Sequence, residues 1–374
     1  MENYIAKKST CAVYTDLAKA FDKVSHVKLL EVLKAYGIDG NVSRWIKNFL
    51  SNRYQRVVIR DSISTQLKVL SGVPQGSVIG PLLFLIYIDD ITSVCSNESS
   101  IYLFADDAKV FSTSPDDLQL TVNNISSFFK SRQLLVANDK CEKITFSKDN
   151  LIPEFTIDNH PLKEVDSVKD LGIFISNDLK WHLHINKIKS KAFQRARHIL
   201  KSFHTNNIWT LLKVFESFVR PIVEYGSQVW NPYLQKDIEA IESVQRFYTK
   251  KICCRANIPF RSYEDRLFKL NMRSLQYRRL EADVILTFKI VHQLVDIPTH
   301  RFFEFNNSPY NTRQHSQSFK LHHATSNFQR NFFANRISPI WNKLPSKIVL
   351  STSLNTFVSR LKSFDLRKIA TLLF

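Results

Sequence analysis

Residues Phe84–Phe111 read FLIYIDDITSVCSNESSIYLFADDAKVF and contain two adjacent aspartate pairs, Asp89–Asp90 and Asp106–Asp107. Each follows an apolar run and an aromatic residue, and either is chemically suited to be half of a metal site. Asp89–Asp90 close a helix-like run that begins at Pro81, and a polar loop follows them. Acids at the C-terminal end of a helix are mildly unfavourable, so capping does not account for this pair. Asp106–Asp107 stand between two short strand-like runs, Ile101–Ala105 and Ala108–Phe111. A hairpin tip there would hold two carboxylates on a locked backbone. A third pair, Asp116–Asp117 in SPDDLQL, reads as structural, with Ser114 as cap, Pro115 as first helical residue and acids at the positive end of the dipole.

A metal site needs a further carboxylate. In CAVYTDLAKAFDKV, Cys11–Val24, the strand-like run Cys11–Thr15 ends at Asp16. The segment that follows, LAKAFDKVSHVKLLEVLKAYG, has apolar residues at helical spacing and a stop at Gly37, which predicts one helix and places Asp22 on its surface. An aspartate at a strand end beside a hairpin bearing two more can bind two divalent ions about 3.5–4 Å apart. Mg²⁺ suits such hard oxygen donors.

Glycine marks another site. Of seven in the chain, Gly72, Gly76 and Gly80 fall within SGVPQGSVIGPLLF, Ser71–Phe84, stiffened by Pro74 and Pro81. A rigid loop poor in side chains, opening a buried helix at Pro81, is what a backbone-lined pocket around Gln75 requires.

Charge divides the chain. Residues 1–180 carry 21 Lys+Arg against 22 Asp+Glu, whereas residues 181–374 carry 31 against 12. A near-neutral half with paired acids beside a half of net +19 suits a catalytic centre next to a polyanion track. The second half reads as helical, with Lys and Arg between the apolar positions of HINKIKSKAFQRARHILKSF. Five scattered cysteines without C-x-x-C spacing argue for free thiols in an intracellular protein and against a zinc ribbon. The apolar run Leu82–Ile88 is too short to cross a bilayer, which takes about 20 residues, so no membrane partner is expected. His182 and His184 in WHLHI read as surface or packing residues. Arg53, Arg56 and Arg60 in NRYQRVVIR suit either phosphate contact or a solvated strand.

YTDLAKAFDKV, SGVPQGSVIGPLLFLIYIDDI, LFADDAKVF and VKDLGIFISNDLKWHLHINKI, in that order, resemble the palm motifs of reverse transcriptases from non-LTR retrotransposons of the jockey-like, LINE-type kind. PIVEYGSQVW and ISPIWNKLPSKIVLSTSLNTF resemble the downstream region of such reading frames. The likeness runs from about residue 10 to about residue 365. It implies an α+β fold: a polymerase right-hand palm, an antiparallel sheet with packed helices, over residues 1–180. A mainly α-helical thumb would occupy 181–260 and a basic C-terminal region 261–374.

The resemblance also implies roles. Asp16, Asp106 and Asp107 would be catalytic and hold two Mg²⁺ ions, or Mn²⁺, while Asp89–Asp90 occupy a position that is not catalytic in this family. Phe21 would lie under the sugar of the incoming nucleotide, where an aromatic clashes with a 2′-OH, disfavouring ribonucleotide addition. Gln75, Gly76 and Lys140 would complete the nucleotide site. Pro74, Leu171 and Gly172 would contact template and primer. Lys140 follows its asparagine by two positions, one fewer than the family pattern. Expected partners are an RNA template, a DNA primer and dNTPs, with a nuclear site implied by the likeness alone. Only 15 residues precede Asp16, so the fingers are expected to be largely absent. A fingers or endonuclease portion would then come from another chain. The alternative expectation is an inactive truncated remnant that only binds nucleic acid.

Overall fold

The computed structural model describes residues 8–146, 153–306 and 315–370. The chain forms two compact units, a first running to Asp170 with Ile175–Lys180 and a second comprising Leu171–Phe174 and the residues from Trp181 onward.

The first unit is built on strand β1, Thr10–Thr15, helices α1, His26–Ala35, and α2, Gly40–Leu50, and helix α3, Gly80–Ile88. Strands β2, Ser99–Phe104, and β3, Asp107–Ser112, then form a hairpin. Helix α4, Pro115–Ser131, strand β4, Glu142–Phe146, and the two-residue β5, Lys163–Glu164, complete the layer. The sheet order is β5-β4-β1-β3-β2, with β1 central and antiparallel to both neighbours. Alternation explains its two faces. Cys11 and Val13 of β1 and Val110 of β3 turn into the main core with Leu118, Val122, Ile125 and Phe129 of α4. Tyr14 pairs across with Lys109 on the other face. Complete burial of Val13 and Val110 contributes about 1.5–3 kcal/mol each.

Helix α4 starts where the sequence predicts, with the Ser114 hydroxyl accepting from the Asp117 N–H at 3.3 Å. Helix α3 likewise opens with Pro81 in its first turn. The long helix expected from Leu17 to Gly37 is a correction. The chain turns at Lys19 (φ 55°), makes a 3₁₀ turn over Ala20–Asp22 and becomes α-helical only at His26. The backbone oxygens of Phe21 and Val24, which a helix would use internally, accept instead from the N–H groups of Val73 and Gly72, each at 2.8 Å. The glycine loop therefore takes the hydrogen bonds that would have continued the helix.

The second unit is helical: α5, His182–Ser202; α6, Ile208–Phe218; α7, Gln235–Arg255; α8, Leu275–Val291; α9, Phe333–Asn342; and α10, Leu354–Lys362, with shorter turns between them. Its core joins Phe288, Phe319, Trp341 and Phe357, with Phe288 and Phe357 stacked at 4.1 Å between centroids. Among the described residues no helix is long and apolar enough to cross a membrane. All five cysteines are free.

Of the two histidines in WHLHI, His182 bonds Asp237 at 2.9 Å, whereas His184 is buried against Trp230. Burial pulls the His184 imidazole down from 6.5 to about 4. The native state keeps this ring neutral while the unfolded chain takes up a proton below pH 6.5. Stability is therefore unaffected above that pH and falls between 6.5 and about 4, by up to about 3 kcal/mol. His184→Gln is expected to flatten the Tm profile over that window; an unchanged slope would assign the acid sensitivity elsewhere.

Candidate active site

Asp16 is the residue immediately after β1, and Asp107 is the first of β3. The register pairs Thr15 with Ala108, so one further step brings Asp16 and Asp107 to the same end of neighbouring strands. Asp106 lies in the two-residue tip of the β2–β3 hairpin beside Ala105, whose φ is 52°. Partial desolvation, and then the negative charges of Asp106, Asp16 and Asp170, hold the Asp107 carboxyl above the ordinary carboxylate range; Lys109 works against them. This strand end is thus a concentration of negative charge that favours a cation.

Lys140 reaches the same place despite its contracted spacing. A 3₁₀ turn over Asn138–Lys140 directs its ammonium to Asp16, with Nζ 2.8 Å from Oδ2. That hydrogen bond, with the charges of Asp16 and Asp106, raises the Lys140 pKa and keeps the amine protonated. Among the described residues no three His, Cys, Asp or Glu side chains are drawn together as a metal-ligand set. The donor chemistry nevertheless suits Mg²⁺: hard carboxylate oxygens gathered at one strand end.

The glycine loop lies against Phe21 and Asp22. Phe21 is half-buried and stacks on Phe84 of α3, with centroids 4.6 Å apart. Gln75 donates to Asp22 Oδ1 at 3.0 Å, and the Ser71 hydroxyl donates to the Asp22 carbonyl at 2.8 Å. Gly72 (φ 91°) passes so close that a Cβ there would stand 2.8 Å from the Asp22 Cα. Only glycine meets both demands. Pro74 is half-buried and Gly76 exposed in the same loop. A groove of about 760 Å³ opens beside it, lined by Lys19, Lys23, Arg53 and Lys68 together with Asp22 and Gln75.

The structure thus brings Asp16, Asp106, Asp107 and Lys140 to one strand end, and Phe21, Pro74, Gln75 and Gly76 to one loop. Leu171 and Gly172 group with the second unit. Asp89 and Asp90 have other partners: Asp89 accepts from the Tyr36 hydroxyl at 2.7 Å, and Asp90 pairs with Arg132. Arg56 and Arg60 are exposed on short hairpin segments, and Arg53 lies over the Phe49 ring.

Asp22 is exposed, as expected, and in addition accepts from the Gln75 side chain. One residue escaped the sequence reading. Asp170 pairs with Lys109 and bonds Tyr14, adding a fourth carboxylate near Asp107. Asp170 stands directly before the Leu-Gly pair in VKDLGIF, which was the available signal.

Residues 2–175 match the family model described as reverse transcriptase (RNA-dependent DNA polymerase). The chain is similar to proteins named as RNA-directed DNA polymerases of transposons and mobile elements. It is 26% identical over 261 residues to a probable RNA-directed DNA polymerase from transposon X-element of Drosophila melanogaster, covering 65% of this chain and 28% of that protein. It is 25% identical over 270 residues to the RNA-directed DNA polymerase from mobile element jockey of the same species, covering 67% and 29%. A Pol polyprotein from the type-1 retrotransposable element R2 of Popillia japonica is 26% identical over 225 residues, covering 52% and 37%. The chain therefore spans well under half the length of these relatives.

Proposed function

We propose that this chain carries the polymerase centre of an RNA-directed DNA polymerase of a non-LTR retrotransposon, with residues 1–180 as palm, residues 181–260 as helical thumb and 261–374 as a basic C-terminal region. The observation that carries this reading is the placement of Asp16 and Asp107 at the same end of paired strands, with Asp106 at the adjoining hairpin tip.

The reaction is attack of a primer 3′-OH on the α-phosphorus of a dNTP, forming one P–O bond and releasing pyrophosphate. Asp16, Asp106 and Asp107 would hold two Mg²⁺ ions, or Mn²⁺. Bound divalent cations activate the attacking oxygen and neutralise the leaving phosphate. The protein's remaining contribution is positioning. Lys140 holds a proton at Nζ beside the carboxylates and can give it to the departing pyrophosphate. Phe21, braced by Phe84, would sit under the sugar. Gln75, held by Asp22, and Gly76 would flank the nascent pair, with Pro74 against the template. The second half, net +19, supplies sequence-independent attraction for the RNA–DNA duplex.

The second reading, a remnant that binds nucleic acid without catalysis, is favoured by one observation: Asp16 already gives an oxygen to Lys140. Nucleotide addition on an RNA template separates the two. With dTTP and UTP offered in parallel on poly(rA), the wild type is expected to add deoxynucleotide selectively, and Phe21→Val to lose about 10²-fold of that selectivity, the scale on which a shaped pocket discriminates. No addition of either nucleotide would leave the remnant reading standing. Unchanged selectivity in the variant would reduce Phe21 to a core residue.

A further inference from the structure

The motif PIVEYGSQVW, Pro221–Trp230, has no part in the chemistry above, yet it surrounds the segment Leu171–Phe174 within the second unit. The Tyr225 hydroxyl donates to the Leu171 carbonyl at 3.1 Å, and the Tyr225 ring lies 3.5 Å from where a Cβ on Gly172 would stand. The next residue, Gly226, leaves room for Ile173, whose Cδ1 would be 2.8 Å from a Cβ there. Trp230 is fully buried and donates its indole N–H to the Tyr225 carbonyl at 2.8 Å. It also packs on His184 at 5.0 Å between centroids, and His184 Nδ1 accepts from the Phe174 N–H at 3.3 Å. One motif thus grips the segment at both ends, directly through Tyr225 and through Trp230 and His184.

The segment needs this grip. Leu171 (φ 45°) and Gly172 (φ 88°) both occupy the left-handed region, which costs a residue with a Cβ conformational energy and is kept only when its surroundings hold it. Tyr225 is 60% exposed and Leu171 41% exposed. A hydroxyl–carbonyl bond at so open a position does little for global stability, but it fixes where the turn stands.

We infer that Tyr225 is a positioning residue for the primer terminus: its hydroxyl holds Leu171–Gly172 in the conformation that receives the recessed 3′ end, and Trp230 and His184 anchor it from behind. This rests on the reading of Leu171–Gly172 as the primer-contacting turn.

The test measures affinity of the full chain for a DNA primer annealed to RNA with a recessed 3′ end. A duplex of the same length closed at both ends by loops serves as reference. Tyr225→Phe removes one hydroxyl and keeps the ring. Its preference for the recessed end is expected to fall about three- to tenfold, the scale of one hydrogen bond, with closed-duplex affinity and Tm unchanged. Gly172→Ala strains the turn itself and is expected to abolish the preference. Loss in Gly172→Ala with full retention in Tyr225→Phe would overturn the positioning role while leaving the turn's assignment intact. If the wild type shows no end preference, or neither variant alters it, the turn's assignment fails and the inference with it. Equal weakening on both duplexes would make Tyr225 a general binding residue and would also overturn it.

Discussion

Asp107→Asn is expected to slow nucleotide addition by about 10³–10⁵-fold, the range that one charge-stabilising element contributes in phosphoryl transfer. Asparagine keeps the size and one acceptor oxygen of the aspartate but removes the charge that would draw a divalent ion to the end of β3. Affinity for an RNA–DNA duplex is expected to stay within about twofold, because that attraction comes chiefly from the basic second half and scales with the cations it presents. Single-turnover extension, with duplex affinity measured on the same preparation, checks both. Stability gives an independent reading. Asp107 is held above its ordinary range by desolvation and by Asp106, Asp16 and Asp170. A carboxyl raised in the folded state costs stability as pH climbs through its titration, so in chelator the neutral variant is expected to be no less stable than the wild type. A variant that lost activity through a drop in Tm would instead mark Asp107 as a structural residue.

Arg336→Ala is expected to destabilise the second unit by about 3–5 kcal/mol, the cost of leaving one partner of a buried ion pair alone. Asp283 on α8 has a side chain only 2% exposed, and Arg336 on α9 only 7%. They meet through two bonds, Nε to Oδ2 at 2.9 Å and Nη2 to Oδ1 at 3.1 Å. Arg336 also donates to the carbonyls of Asn331 at 3.0 Å and Gln228 at 2.9 Å. Burial drives the Asp283 carboxyl upward, and Arg336 is the first cation opposing that effect. Arg279, fully buried nearby, gives its Nε–H to Asn231 at 3.0 Å. Alanine at 336 would leave a carboxylate and two carbonyls short of donors. Denaturant titration followed by tryptophan fluorescence measures the loss. Arg336→Met combined with Asp283→Leu, which removes both charges and fills the space, is expected to recover most of it. If the single variant lost less than about 1 kcal/mol, or the pair recovered nothing, the interaction would not be the brace described here.

The central elements could be read before any coordinates, because they are local. A strand ending at Asp16, a hairpin turning at Asp106, Pro81 opening α3 and Ser114 capping α4 each depend on residues within a few positions of one another. What escaped depends on distant partners. Asp22 and Gln75 are separated by 53 positions, and Lys109 and Asp170 by 61. No spacing rule links such pairs. The helix predicted from Leu17 failed for the same reason: its apolar period is genuine, but the backbone acceptors of Phe21 and Val24 serve a loop about fifty residues downstream. Lys140 is the converse case, since its contracted motif gave no assurance of its place and the 3₁₀ turn over Asn138–Lys140 supplied it.

The most direct test of the polymerase reading is extension of oligo(dT) on poly(rA) with dTTP and Mg²⁺, comparing the wild-type chain with Asp107→Asn and with a chelator control. Extension by the wild type alone, abolished by chelator, is the predicted result. Equal duplex binding by both proteins with extension by neither would contradict it and make this chain a nucleic-acid-binding remnant.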